Sequence, residues 1–296
     1  MTEKKNVIAP DIVSRIKQLE IFTRRLLNGA LVGDSRSAIK GTGFEFDQIH
    51  DYSFGDDIRF IDWKASARNN KLLVKQYIEE RSRTVFLVVD VSQSSIFGSG
   101  TSNKYNRIVE LASVLALVAQ HGKDHVGLLL FSDKIETYIP PGSSLHHIHR
   151  IMETMLTFTP RKSKTDISKA LQHLLSIKKS DAIVFLISDF IDDSLDTYLT
   201  QAARRYDVIA VRCLDGNEKS MPVVGFITVE DMETGELVEL DLRGTRNNDI
   251  RRFLAGRLEQ QNTLFKRRGI DLVDIAPERS EYLADMVKFF RRRMMY

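Results

Sequence analysis

The sequence predicts an α/β protein built on a doubly wound, mostly parallel sheet, with an N-terminal helix and loop-rich clasp before it and a β-hairpin inserted late in the chain. Three observations predict it. After Arg83, short and almost continuously apolar runs such as Val85-Phe86-Leu87-Val88-Val89 recur, as expected of strands covered on both faces. Stretches with helical spacing of apolar residues separate these runs, which implies right-handed crossovers between parallel strands. Before Arg83 the pattern differs, with glycines, paired acids and the lone Trp63 interrupting weak periodicity.

Taken in order, residues 11–32 repeat Ile12, Ile16, Leu19, Phe22 and Leu26 at helical spacing, with Pro10 before them and Gly29 and Gly33 at the far end. Residues 34–80 read as a compact, loop-rich segment with short extended pieces such as 72–78. Strands are predicted at 84–91, 126–131, 182–188, 208–212 and 272–276. Helices are predicted at 104–121, 145–158, 166–177, 195–206 and 248–267, with a last one from Ser280. The pieces 225–229 and 237–242 flank Glu233-Thr234-Gly235-Glu236 and read as the inserted hairpin, which occupies roughly 223–242. The chain is therefore divided at 1–83, a helix and signature segment packed on the sheet, and 84–296, the sheet domain.

Composition narrows the function classes. The chain has 296 residues, 43% hydrophobic, enough for a large core, and its net charge of +3 demands no polyanionic partner. Cys213, the single cysteine, lies in an apolar run and reads as a buried thiol, which excludes a disulfide scaffold. No apolar run approaches the ~20 residues of a membrane span, and residues 1–10 lack a hydrophobic signal core, so a cytoplasmic location is expected. The absence of G-x-x-x-x-G-K-[ST] argues against an ATPase.

Open α/β sheets place chemistry at the carboxyl ends of their strands. Asp90 ends the first strand of this sheet and opens Asp90-Val91-Ser92-Gln93-Ser94, in which alternation turns a carboxylate and two hydroxyls to one side. Thr165 precedes a helix, and Asp189 follows another buried strand. Each residue alone serves equally as a helix cap or turn former. Together they offer two carboxylates and three hydroxyls, a hard-oxygen set suited to Mg²⁺, with Mn²⁺ or Ca²⁺ as substitutes, whereas Zn²⁺ or Cu²⁺ would recruit His or Cys. The arrangement Asp90-x-Ser92-x-Ser94, Thr165, Asp189 resembles the metal-ion-dependent adhesion site of von Willebrand factor A domains. That resemblance implies direct binding of the metal by the hydroxyls and completion of its shell by a partner's carboxylate.

A second, more specific resemblance covers the segment before the sheet. Gly41-x-Gly43-x-Glu45-Phe46, Tyr52, Gly55-Asp56-Asp57-x-Arg59-x-Ile61-Asp62-Trp63 and Ala67-Arg68 are similar to the signature of the bacterial family called domain of unknown function 58. Its members are typically found with MoxR-type AAA+ ATPases. His50 stands where the family usually has arginine, and Ser95 where methionine often follows the metal loop. A histidine carries charge only near or below its ordinary pKa of ~6.5. Physically, Asp56, Asp57 and Asp62 lie among Arg59, Lys64 and Arg68, which predicts a charge-paired clasp around a buried Trp63; direct contact with a partner is the alternative for the same residues.

The resemblances together imply a Mg²⁺-dependent protein–protein interaction module, not an enzyme, acting as partner or adaptor of a MoxR-type AAA+ ATPase in protein maturation or complex assembly. The ATPase would supply an acidic residue to the metal. A Mg²⁺-dependent, phosphatase-like hydrolase is the alternative, disfavoured because the two loops that carry the aspartates hold no His, Lys or Cys to act as base or nucleophile. A nucleic-acid binder is weaker still: the basic runs 266–268 and 291–293 read as solvated helix ends. His146, His147 and His149 read as a solvated helix start, since no fourth metal ligand accompanies them.

Overall fold

The computed structural model describes residues 10–31, 44–79, 82–93, 104–159, 164–178, 182–191, 196–214, 226–230, 237–241, 245–276 and 282–294. The chain divides into two compact units, one formed by Met1–Ala30 with Arg83–Tyr296 and the other by Leu31–Ser82. The leading helix α1 (Pro10–Leu31) starts at the proline expected to open it and buries Ile16 and Leu19, one turn apart, in the core of the larger unit.

The smaller unit is more regular than a loop-rich reading allows. Strand β1 (Phe44–Asp51) pairs antiparallel with β2 (Leu73–Glu79), which coincides with the expected extended piece. A register shift between Phe46 and Gln48 breaks the alternation of β1, and its acidic residues are poor strand formers, which hides it in the sequence. A 3₁₀ turn (Ile58–Phe60) and the short helix α2 (Trp63–Asn69) fill the connection. Gly55 takes φ +113°, a conformation open to glycine, ahead of that turn. Ser66 on α2 accepts the Leu73 N–H at 2.9 Å, fastening the helix to the start of β2.

In the larger unit, β3 (Thr84–Asp90), β4 (His125–Phe131), β5 (Ile135–Gly142), β6 (Ala182–Ser188), β7 (Asp207–Cys213), the separate antiparallel pair β8 (Phe226–Glu230) and β9 (Leu237–Asp241), and β10 (Asp271–Ile275) supply the strands. The main sheet runs β10-β7-β6-β3-β4-β5, parallel except for β5. Helices α3 (Lys104–His121), α4 (Leu145–Thr157), α5 (Ile167–Ser176), α6 (Asp196–Arg205), α7 (Thr245–Arg267) and α8 (Tyr282–Met294) alternate with the strands. Every strand and helix expected after Arg83 forms, including the two strands expected of the hairpin, and the main sheet is the doubly wound, mostly parallel one. The edge strand β5 goes unread in the sequence because Pro140 and Pro141 break its pattern; both are tolerated since an edge strand need not donate on its outer side.

The period of two in each strand divides the core. Val85, Leu87 and Val89 point into one cluster with Ile108 and Leu111 of α3, Ile148 and Met152 of α4, and Ile16 and Leu19 of α1; Met286 of α8 joins them. Phe86 and Val88 point into the other, with Leu171 and Leu174 of α5, Leu199 of α6 and Phe265 of α7. All of β3 is thus buried, and its alternate residues bind the two helical layers through one strand. Cys213 is buried in the first cluster, as expected. Among the described residues, no helix is long and apolar enough to cross a membrane.

Gly127, on β4 opposite Phe86, marks the tightest approach in this core. A Cβ there would lie 2.9 Å from the Phe86 ring, which is fully buried and cannot retreat. Gly127→Ala is therefore expected to destabilise the protein by about 1–3 kcal/mol in urea denaturation, as overpacking does; a change below about 0.5 kcal/mol would show that the ring has room.

Candidate metal centre

The site follows from the order of the strands. Numbered within the sheet, β5-β4-β3-β6-β7-β10 is the order 3-2-1-4-5-6, so the connections leave β3 and β6 toward opposite sides and open a crevice at their carboxyl ends. The two strands are level there, with Val89 paired to Ile187. Asp90 ends β3 and Asp189 follows β6, and both are buried, at 0% and 1% exposure.

Each carboxylate is held by short-range donors. Asp90 Oδ1 accepts the Ser92 N–H at 2.9 Å, and its Oδ2 accepts the Ser188 hydroxyl at 2.7 Å. Asp189 Oδ1 accepts the Ile191 N–H at 3.1 Å, and its Oδ2 accepts the Lys104 ammonium at 3.2 Å. Thr165 donates its hydroxyl to Ser92 Oγ at 2.8 Å, which brings the loop before α5 to the loop after β3. The backbone of the β6 loop is fixed as well. Phe190 adopts a left-handed φ of +57°, its N–H donates to Ser188 Oγ, and its carbonyl accepts Gln261 Nε2 of α7 at 2.8 Å. Gln261 in turn accepts from the buried Arg212 at 2.8 Å, and Arg212 also clasps Asp274 of β10 through two nitrogens.

Burial, and then the neighbouring charge of Asp189, push the Asp90 carboxyl up to about 6, against the hydrogen bonds from Ser92 and Ser188 that favour its charged form. A pair of like charges in a dry crevice calls for positive charge beside it. The donor set fits a hard cation: carboxylate and hydroxyl oxygens converge, and the Asp90 carboxylate, with about four lone-pair sites, meets donors from the Ser92 N–H, the Ser92 side chain and Ser188.

Asp90, Ser92, Thr165 and Asp189 thus stand where the sequence pattern places them, while Ser94 lies outside the described residues. Thr165 does not cap the helix that follows it. Asp166, not Thr165, caps α5 by accepting the Lys169 N–H at 3.0 Å, leaving the threonine hydroxyl for Ser92. Lys104 is the residue the sequence reading missed. It sits on α3, outside the three loops, and its one available signal is that a lysine at 1% exposure needs a carboxylate.

The signature acids of the smaller unit are local caps. Asp56 accepts the Ser53 N–H at 2.8 Å and pairs with His50 at 3.1 Å; these contacts, the Ser53 bond foremost, hold its carboxyl below the usual range. Asp57 accepts the Arg59 N–H and faces its guanidinium, and Asp62 caps α2 through the Lys64 and Ala65 N–H groups while pairing with Lys75 at 3.0 Å. Tyr52 donates its N–H to the Leu72 carbonyl, Arg68 is exposed in the last turn of α2, and Glu45 lies opposite Ile78. The buried Trp63 expected of a clasp is not found. Trp63, the first residue of α2 after the Asp62 cap, is 68% exposed.

Among the described residues, no three His, Cys, Asp or Glu groups gather as a metal cluster. His147 bonds the Val126 carbonyl and His149 bonds Glu20 of α1 at 2.6 Å, so these histidines fasten helices. Arg293, expected to be a solvated end, instead pairs with Asp207 and, at 3.2 Å, with Asp271, joining α8 to β7 and β10.

Comparison with known proteins places the chain in context. Residues 48–263 match the family described as Protein of unknown function DUF58. An uncharacterized protein of Mycobacterium tuberculosis is 28% identical over 287 residues, covering 96% of this chain and 90% of that one, and a protein of Mycobacterium bovis matches equally. Among solved structures, BatB of Bacteroides thetaiotaomicron is similar at TM-score 0.47 and 16% identity, over 73% of this chain and all of that one. The SpRpn10 VWA domain is similar at TM-score 0.41 and 12% identity, over 70% and 94%.

Two outcomes follow for the smaller unit. Trp63→Ala should change stability by less than about 0.5 kcal/mol, as exposed substitutions do, and the tryptophan should emit as a solvated indole; a blue-shifted spectrum with a loss above about 3 kcal/mol would restore a buried ring. Arg59, by its side-chain bond first, holds Asp57 down to about 2. A carboxyl depressed in the folded state stabilises it above the unfolded pKa, and that contribution fades as pH falls through the folded value. NMR titration should place Asp57 near 2 and move it toward the ordinary 3.8 in Arg59→Ala; an unmoved midpoint would assign the depression to the backbone bond.

Proposed function

The chain belongs to the DUF58 family, and on that premise we propose that it is a divalent-cation-dependent protein-interaction module whose docking point is the crevice between β3 and β6. The observation that carries this reading is the convergence of two buried carboxylates, Asp90 and Asp189, with the Ser92 and Thr165 hydroxyls at the carboxyl ends of the central strands. Asp90, Ser92, Ser94, Thr165 and Asp189 would hold Mg²⁺, with Mn²⁺ or Ca²⁺ as substitutes. When bound, the ion would supply an open position for a carboxylate from outside, since Mg²⁺ seeks about six oxygens.

The protein's own groups prepare that contact. Ser188 and the Ser92 N–H orient Asp90, the Ile191 N–H orients Asp189, and Thr165 aligns Ser92. Gln261 holds the carbonyl of Phe190, keeping the β6 loop in its left-handed turn. The partner proposed is a MoxR-type AAA+ ATPase offering an acidic residue, so that nucleotide-driven movement of that residue makes or breaks the contact during protein maturation or complex assembly. A binding role is favoured over hydrolysis because Lys104, the buried lysine that meets the aspartates, is paired with Asp189 at 1% exposure.

Millimolar Mg²⁺ or Mn²⁺ is expected to raise the melting temperature, in proportion to about 2.7 kcal/mol at one hundred times Kd, and Asp90→Ala to abolish the response. Identical melting with metal and with chelator would remove the metal from the account. Calorimetry with the purified ATPase should show binding that is lost in chelator and in Asp90→Ala or Asp189→Ala, and weakened less in Ser94→Ala. Equal affinity for wild type and Asp90→Ala would move the docking surface to the neighbourhood of Arg59 and Arg68.

A further inference from the structure

Lys104 is the buried charged group that the proposed docking chemistry does not use. Its side chain is 1% exposed, that of Asp189 is 0% exposed, and the two meet at 3.2 Å. Lys104 stands on α3, whose Ile108, Leu111 and Leu115 are locked in the core, so the helix delivers the ammonium to Asp189 from a fixed base. The other end of the pair is equally fixed, because Asp189 also accepts the Ile191 N–H and its loop is held through Phe190 and Gln261.

We propose that the Lys104 ammonium and a divalent ion are mutually exclusive occupants of the Asp189 carboxylate, so that Lys104 is a tethered internal cation setting how readily the site takes metal. This inference rests on the metal-binding reading of the crevice. Charge is its basis. Asp90, Asp189 and Lys104 together carry a formal charge of −1, and a divalent ion added to them would bring it to +1 and set a like-charged neighbour a few ångströms from the ammonium in a poorly screened setting. With Lys104 withdrawn, the same two carboxylates balance a divalent ion. The flexible four-carbon stem of lysine permits that withdrawal, whereas the planar fork of arginine would favour a persistent clasp on the carboxylate. Metal entry therefore parts the Lys104 head from Asp189 and breaks this link between the first turn of α3 and the β6 loop, and metal loss closes the pair again.

The test uses the full chain. Calorimetric titration with Mn²⁺ is run on wild type, Lys104→Met and Lys104→Gln, and acetylation of Lys104 in wild type is followed by mass spectrometry with and without Mn²⁺. The expected results are tighter Mn²⁺ binding, by roughly tenfold or more, in the neutral variants, and severalfold faster Lys104 acetylation in the wild type once Mn²⁺ is added. If the variants do not fold, the wild-type acetylation decides alone. Binding to the variants without binding to wild type also supports the inference, since the tethered cation then holds the site outright. Equal Mn²⁺ affinity across the three proteins, or unchanged acetylation while Mn²⁺ is bound, would overturn exclusivity and leave the metal site standing. Binding to none of them would overturn both.

Discussion

Two carboxylates with almost no contact with water, brought together where β3 and β6 end side by side, are the constraint around which the site and its neighbourhood are organised. Ionised groups in such a place are costly unless they are hydrogen-bonded and neutralised. Every surrounding feature answers one of these needs. Ser92 and Ser188 donate to Asp90, Ile191 donates to Asp189, and Lys104 brings a positive charge from a helix that approaches from another part of the chain. Asp90 remains pushed toward its neutral form even so, which measures how incomplete the compensation is.

The fold makes the pair unavoidable. β3 is buried on both faces because its odd residues pack under α1, α3 and α4 and its even ones under α5, α6 and α7, so its carboxyl end is the centre of the protein's crevice edge. Reversal of strand order at β3 and β6 goes with the helices that follow them, α3 and α6, packing in the two different halves of the core. Arg212, buried between β7 and α7 and clasping Asp274, extends the support outward: it fixes Gln261, which fixes the Phe190 carbonyl beside Asp189. Positioning of the site is thereby distributed across three strands and a helix, well beyond the loops that carry the ligating side chains.

Much of this was legible in the residues. The strands that became β3, β4 and β6 announce themselves as apolar runs, and placing Asp90 and Asp189 at their ends requires only that doubly wound sheets react at carboxyl ends. Thr165 reads in the sequence as a cap or a ligand, and the cap proves to be the next residue, Asp166. Lys104 was illegible for a different reason. Nothing in a local pattern distinguishes a lysine that snorkels to water from one that turns inward, because the difference lies in a residue 85 positions away. The smaller unit resisted for local reasons: a bulge in β1 hides its alternation, and the aspartates, which do pair with His50, Arg59 and Lys75, show their second role as backbone caps only in the folded chain. Trp63 shows the limit of composition, since a lone tryptophan suggests a buried anchor and instead begins a capped helix facing outward.

Anomalous diffraction from crystals soaked in Mn²⁺ tests most directly whether the crevice is a cation site. A peak bounded by Asp90, Ser92, Thr165 and Asp189, with oxygens at roughly 2.1 Å as for a Mg²⁺-like ion and with the Lys104 ammonium turned away from Asp189, is the predicted result. A map with no peak there at saturating Mn²⁺, and with Lys104 still on Asp189, would show that the lysine alone balances the buried carboxylates and would contradict the account.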